Sequence, residues 1–228
     1  GELEITVSVD RAPGNWLPMA PDSGHLIVRQ TFGDKAREVA AELAIERIAG
    51  PGEPFESAPL TAEHVDAGLA RAARFVGGAA ATFANLVAGF AARQNELPRF
   101  DQELSNQLGG DPNIAYYHGY FDLADDEALL VTLRPPRSAY YNFQLGNHFM
   151  ESLDYRSQPA SKNGEDLVAE ADGRVEIVVA ARDPGAKNFL STQGHRRGTM
   201  CLRWVHAESH PDPEVRVVSL HDLTERPR

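Results

Sequence analysis

Apolar and polar positions alternate with a period of two along much of the chain, the spacing at which successive side chains of a strand point to opposite faces. The alternation predicts strands over residues 26–32, 43–48, 115–123, 128–133, 139–145, 174–181, 199–205 and 215–220. Leu3, Ile5, Val7 and Val9 predict one more at the start. Turn-forming pieces such as Asp111-Pro112-Asn113, Pro135-Pro136, Ala171-Asp172-Gly173 and Asp183-Pro184-Gly185 punctuate these runs. Many short strands with tight punctuation predict a mainly β fold, a jelly-roll-like β-sandwich.

One segment has the period of a helix. Across residues 61–94, Leu69, Val76, Phe83 and Phe90 recur at heptad spacing, small residues fill the positions between them, and Thr61 is suited to cap the N-terminus. Residues 75–92 carry no charge and approach the length of a membrane span. Their Ala- and Gly-rich composition, with Asn85 and the pair Gly77-Gly78, speaks instead for a long helical insertion packed on the sandwich, and no membrane span is expected. Residues 96–113, with Pro98, Gly109-Gly110 and Pro112, predict a loop that could serve as a lid or linker.

The chain also repeats itself. Glu4-Ile5, Asn15-Trp16-Leu17 and Gly24 with Arg29 five residues on correspond to Glu176-Ile177, Asn188-Phe189-Leu190 and Gly198 with Arg203 five residues on. Leu26, Ile27 and Val28 then fall on Met200, Cys201 and Leu202, so an internal duplication of a strand-turn-strand unit is expected. The organisation that follows is a first β repeat over 1–60, the helical insertion and loop over 61–113, and a second β repeat over 114–228. The first copy has no counterpart of the strands that precede the unit in the second. A missing N-terminal segment of the same protein is therefore an expected partner.

Three stretches carry a family resemblance. Pro13-Gly14-Asn15-Trp16-Leu17 leading to Leu26-Ile27-Val28-Arg29-Gln30, Asn142-Phe143-Gln144-Leu145-Gly146-Asn147 leading to Met150-Glu151-Ser152-Leu153-Asp154-Tyr155-Arg156, and Arg182-Asp183-Pro184-Gly185 leading to Gly194-His195-Arg196-Arg197-Gly198-Thr199 resemble the bacterial family called domain of unknown function 1214. The resemblance spans nearly the whole chain. It implies a β-rich, jelly-roll-like module that is the larger, C-terminal part of a longer bacterial protein, and it brings no activity and no catalytic residues with it.

Composition narrows function by exclusion. With 22 Lys and Arg against 33 Asp and Glu, the formal net charge is −11, and there is no basic block longer than Arg196-Arg197, so no nucleic-acid partner is expected. The single Cys201 forms no internal bridge and fits a reducing, cytoplasmic setting. No glycine-rich nucleotide loop and no Gly-x-Ser-x-Gly elbow occurs, and no cofactor is expected. Nothing separates a monomer from a homodimer.

The densest polar run, residues 140–156, is the candidate site. Period two puts Tyr140, Asn142 and Gln144 on one strand face, where phenol and amide groups can both donate to and accept from a neutral polar or carbohydrate-like ligand. Asn147 and Arg203 complete the candidate ligand-binding set, although Arg203, like its repeat mate Arg29, also reads as half of a structural ion pair. A small-molecule ligand or an assembly role is the first functional reading. The second is a hydrolase- or lyase-like enzyme in which His118 or His195 acts as acid–base with Glu151 as partner. His148 and Glu151 have a spacing that metal ligation could use with His118 or His195, but the His-x-His pair of a cupin-type centre is absent, and no metal is expected.

Overall fold

The fold is that of a computed structural model, which describes residues 1–48 and 59–224. In chain order its strands are β1 (Thr6–Ser8), β2 (Trp16–Pro18), β3 (Ile114–Asp122), β4 (Glu127–Leu133), β5 (Tyr140–Gly146), β6 (Ser161–Asn163), β7 (Val175–Ala180), β8 (Phe189–Ser191), β9 (Arg197–Val205) and β10 (Glu214–Ser219). The helices are α1 (Ala62–Ala91), α2 (Gln102–Gln107) and α3 (Leu220–Thr224). The chain divides into two units, one of Gly1–Phe32 with Val39–Ala44, the other of the remaining residues.

The larger unit is mainly β. Its strands form two four-stranded sheets, ordered β10-β4-β7-β8 and β3-β9-β5-β6. Every pairing is antiparallel except β7 with β8. Tyr117, Phe121, Phe143, Met200, Leu202 and Trp204 of one sheet share a single buried cluster with Leu129, Val131, Leu133, Ile177 and Val179 of the other, an arrangement compatible with a β-sandwich. Each such side chain contributes roughly 1.5–3 kcal/mol through burial. The outer face of β4 and β7 is covered as well, since Leu130, Val178 and Ala180 pack against Phe189, Val218, Leu220 and Leu223. These two strands therefore read as near-continuous apolar runs.

Helix α1 begins as expected, with Thr61 accepting from the amide of His64 at 3.2 Å. Its packing differs from expectation. Leu69, Val76 and Phe83 are exposed, and the helix meets β3 towards its C-terminal end, where Val87 is buried and Phe90 stacks on His118. The following run is not the simple loop expected over 96–113, because it contains α2 and is pinned along the free edge of β3. Asn95 donates to Tyr120, Phe100 to Tyr116, and His118 donates back to Pro98, all between backbone groups at 2.7–3.2 Å. An edge strand whose amides are satisfied this way is closed to further pairing. Gly119 permits the approach, since a Cβ there would come within 2.2 Å of the carbonyl oxygen of Glu96.

In the smaller unit β1 and β2 pair in parallel, Thr6 opposite Trp16. The predicted strands over 26–32 and 43–48 do not form. Leu26, Ile27, Val28, Leu43, Ile45 and Ile48 are exposed, and alternation alone cannot stabilise a strand that has no neighbour to take up its backbone hydrogen bonds. The two segments nevertheless share two hydrogen bonds. Asn15 donates its side-chain amide to the Glu4 carbonyl at 3.1 Å and Asn188 to that of Glu176 at 3.0 Å. The amide of Thr6 donates to Asn15 and that of Val178 to Asn188, each at 2.9 Å. Burial is where they part: Ile5 is 51% exposed and Leu17 47%, whereas Ile177 and Leu190 are fully buried.

Candidate functional site

Because odd positions of β3 and β5 and even positions of β9 point into the shared core, their alternates must face outward. Register then lines them up in rows. Tyr116 lies opposite Arg203, Arg203 opposite Asn142, and Asn142 opposite Asn163; the next row runs His118, Cys201, Gln144, Ser161. Tyr140 sits one row away, opposite Val205. The sequence put Tyr140, Asn142 and Gln144 on one strand face and singled out His118 and Arg203 apart from them, and the sheet brings all five to one face.

Asn142 is only 6% exposed, while Tyr116, His118, Tyr140, Gln144 and Arg203 are half-buried around it. Its amide nitrogen donates to Gln144 Oε1 at 3.3 Å, but its Oδ1 has no hydrogen-bond partner. Arg203 Nε is likewise buried and unpartnered. The ion pair expected for Arg203 is not found: among the described residues no carboxylate is paired with it, and its guanidinium lies 5.7 Å over the Tyr116 ring. At the other end of the same face Arg197 is paired with Asp122 at 2.8 Å. This sheet can thus neutralise an arginine and does not do so at Arg203.

The electrostatics of the face follow from burial. His118 is stacked on Phe90 (5.1 Å, 8°) and Tyr116 (5.9 Å, 7°) and meets the edge of Phe100 (5.1 Å, 85°). Burial, helped by the neighbouring Arg203 charge, lowers its pKa to about 4, so the imidazole is neutral at pH 7. Burial also raises the Cys201 thiol and the Tyr140 phenol, which keeps both protonated and makes Cys201 a poor nucleophile. Arg203 is left as the positive charge at the centre of the face.

A pH dependence follows. In the unfolded chain His118 protonates near pH 6.5, while in the fold it resists protonation down to about pH 4. The unfolded state binds more protons across that window, so its contribution to stability is complete above pH 6.5 and lost progressively as pH falls towards 4, by up to about 3 kcal/mol. Urea denaturation at pH 7.0 and pH 4.5 should show this loss in the wild type and a clearly smaller one in His118→Phe. Equal losses in the two proteins would remove His118 as the cause.

The remaining sequence candidates lie elsewhere. Asn147 accepts from the amides of Phe149 and Glu151 at 2.9 and 3.0 Å and donates to the Glu151 carboxylate, so the pair holds the turn after β5. His148 Nδ1 is bonded to the Tyr120 hydroxyl at 2.7 Å. His195 is exposed, in the turn that follows Gln193 and Gly194, both at positive φ. No hydrogen bond or ion pair joins His118 to Glu151 or Asp154 among the described residues, and no group of three or more potential ligands able to hold a metal occurs there. Sequence reasoning missed Tyr116 and the placement of Cys201 beneath the site, because cross-strand register has no local signal.

Comparison with known proteins places this geometry in a fold already seen by crystallography. The chain is similar to an uncharacterised protein from Burkholderia cenocepacia, at 44% identity and a TM-score of 0.88, over 95% of this chain and 59% of that one. It thus spans about three-fifths of that relative's length. The VPA0106 protein from Vibrio parahaemolyticus matches at 14% identity and a TM-score of 0.40, over 72% of this chain and 47% of that one, too distant to carry structural weight. No family model and no curated protein matches the chain. Among the described residues no helix is long and apolar enough to cross a membrane.

Proposed function

We propose that the protein is a bacterial binding module that holds a small polar or carbohydrate-like ligand on the outward face of the β3-β9-β5-β6 sheet. The observation that carries this reading is the pair of buried, unpartnered polar atoms, Asn142 Oδ1 and Arg203 Nε, in adjacent strands. Native proteins rarely leave such atoms unpaired, because each costs about 1–3 kcal/mol, and a ligand supplying one donor and one acceptor would satisfy both. The half-buried phenols, amides and imidazole around them offer the mixed donors, acceptors and flat apolar surfaces that polar ring compounds use.

Membership of the domain of unknown function 1214 family, a jelly-roll-like winding of the two sheets, a duplication linking residues 4–29 to 176–203, and a cytoplasmic site for a protein with one buried thiol belong to the same reading. The matched Asn15 and Asn188 bonds support the duplication. Native mass spectrometry of the purified protein, beside Asn142→Ala and Gln144→Ala, tests the binding function. An organic mass that accompanies the wild type and is lost from the variants is the expected result. The same mass retained on both folded variants would overturn the assignment of this face.

A further inference from the structure

We propose that the ligand of this face is a hydroxycarboxylate, its carboxylate accepting from Arg203 and a nearby hydroxyl donating to Asn142. This rests on the binding reading above and narrows it to one chemical class. Two complementary demands lead there. The Arg203 Nε–H needs an acceptor, and its guanidinium carries a charge that no described carboxylate neutralises, whereas Arg197 on the same face is paired with Asp122. A carboxylate matches the planar donor fork of a guanidinium. The second demand runs the other way. Asn142 Oδ1 can only accept, so the carboxylate that serves Arg203 cannot serve it, and the ligand must bring an O–H or N–H of its own.

The two residues are direct cross-strand neighbours, and the separation of such side chains, roughly 4.5–5.5 Å between Cβ atoms, suits a hydroxyl close to the carboxylate on one small molecule. A phosphate dianion fits less well. Arg203 is one cation, and among the described residues the row it shares with Asn142 is continued by Tyr116 and Asn163, neither of which adds a second positive charge. Beside that row the Tyr116 and His118 rings lie nearly parallel, 5.9 Å apart, and offer an aromatic edge to a ring if the acid carries one. A sugar acid and an open-chain hydroxy acid share the recognised chemistry, and only the former would use those rings.

The test is calorimetric titration of the whole protein with D-glucuronate, lactate, glucose, acetate and inorganic phosphate. Glucuronate or lactate should bind about 10-fold to 100-fold more tightly than either glucose or acetate, since each of the latter lacks one of the two partners. Glucuronate binding that exceeds lactate binding would identify the sugar acid as the source, and the reverse order an open-chain acid. Arg203→Gln should abolish the preference over glucose, and Asn142→Leu the preference over acetate, with melting curves confirming that both fold. Should either variant fail to fold, the wild-type ligand order decides alone. Glucose bound as tightly as glucuronate, or phosphate bound more tightly, would overturn the hydroxycarboxylate while leaving a binding face. Failure of all five probes, with no co-purified mass, would bring down both.

Discussion

Truncation of Trp204 to alanine is expected to remove about 3–5 kcal/mol of stability. Trp204 is fully buried in β9, an interior strand of its sheet, where it lies opposite Ala115 of β3 and Tyr141 of β5. Its indole packs against the Tyr141 ring with centroids 5.2 Å apart. The loss would combine lost burial with the cavity that remains, and both sheets line that cavity because they share one core. Domains of this kind are stable by about 5–15 kcal/mol, so the variant would stand near the edge of folding. Val205→Ala is the internal control. The next residue along the strand points to the outer face and is half-buried, so its loss should be about 1 kcal/mol or less. Urea denaturation gives both numbers. A Trp204→Ala loss no larger than that of Val205→Ala would mean that the two sheets are not packed as described.

Asn188→Ala is expected to cost about 3 kcal/mol, and Asn15→Ala no more than about 0.5 kcal/mol, although each asparagine donates its side-chain amide to a glutamate carbonyl in the same way. Asn188 is 2% exposed. It donates to the carbonyls of Val168 and Glu176 at 2.8 and 3.0 Å and accepts from the Val168 amide at 2.8 Å, tying three backbone groups beside the parallel β7-β8 pair. Alanine would leave those groups without their partner at a site that water cannot readily enter, at about 1 kcal/mol each. Among the described residues the Asn15 side chain makes only the Glu4 bond, and it is exposed, so water replaces what is lost. Denaturant titration of the two variants separates the outcomes. Equal losses would mean that burial does not set the strength of this motif.

Legibility followed the length of each element. The six strands of six to nine residues, β3, β4, β5, β7, β9 and β10, lie where alternation predicted them, because two or more repeats of the period are visible in each. Of the four three-residue strands, β1 falls within the alternating run of Leu3, Ile5, Val7 and Val9, while β2, β6 and β8 carry no period to read, and α2 hides in a stretch dominated by Pro and Gly. Residues 26–32 and 43–48 show the opposite failure, since they have a strand's pattern without a strand's neighbours. At the site, Tyr140, Asn142 and Gln144 were legible as one face of one strand. That Arg203 lies beside them rather than in an ion pair was not, because it depends on which strand β9 pairs with.

By itself the sequence determined the local rules of this protein. It set which residues alternate, where Thr61 starts a helix, and that two distant segments use the same Glu and Asn to make the same turn, because each of these depends on contacts close along the chain. Only the tertiary structure decided what those segments are worth. It buries Ile177 and Leu190 and leaves Ile5 and Leu17 exposed, and it seats His118 and Arg203 on one sheet face with Asn142. Burial and cross-strand register are properties of the assembled sheets, and they are what turn a polar strand into a site with an unneutralised charge.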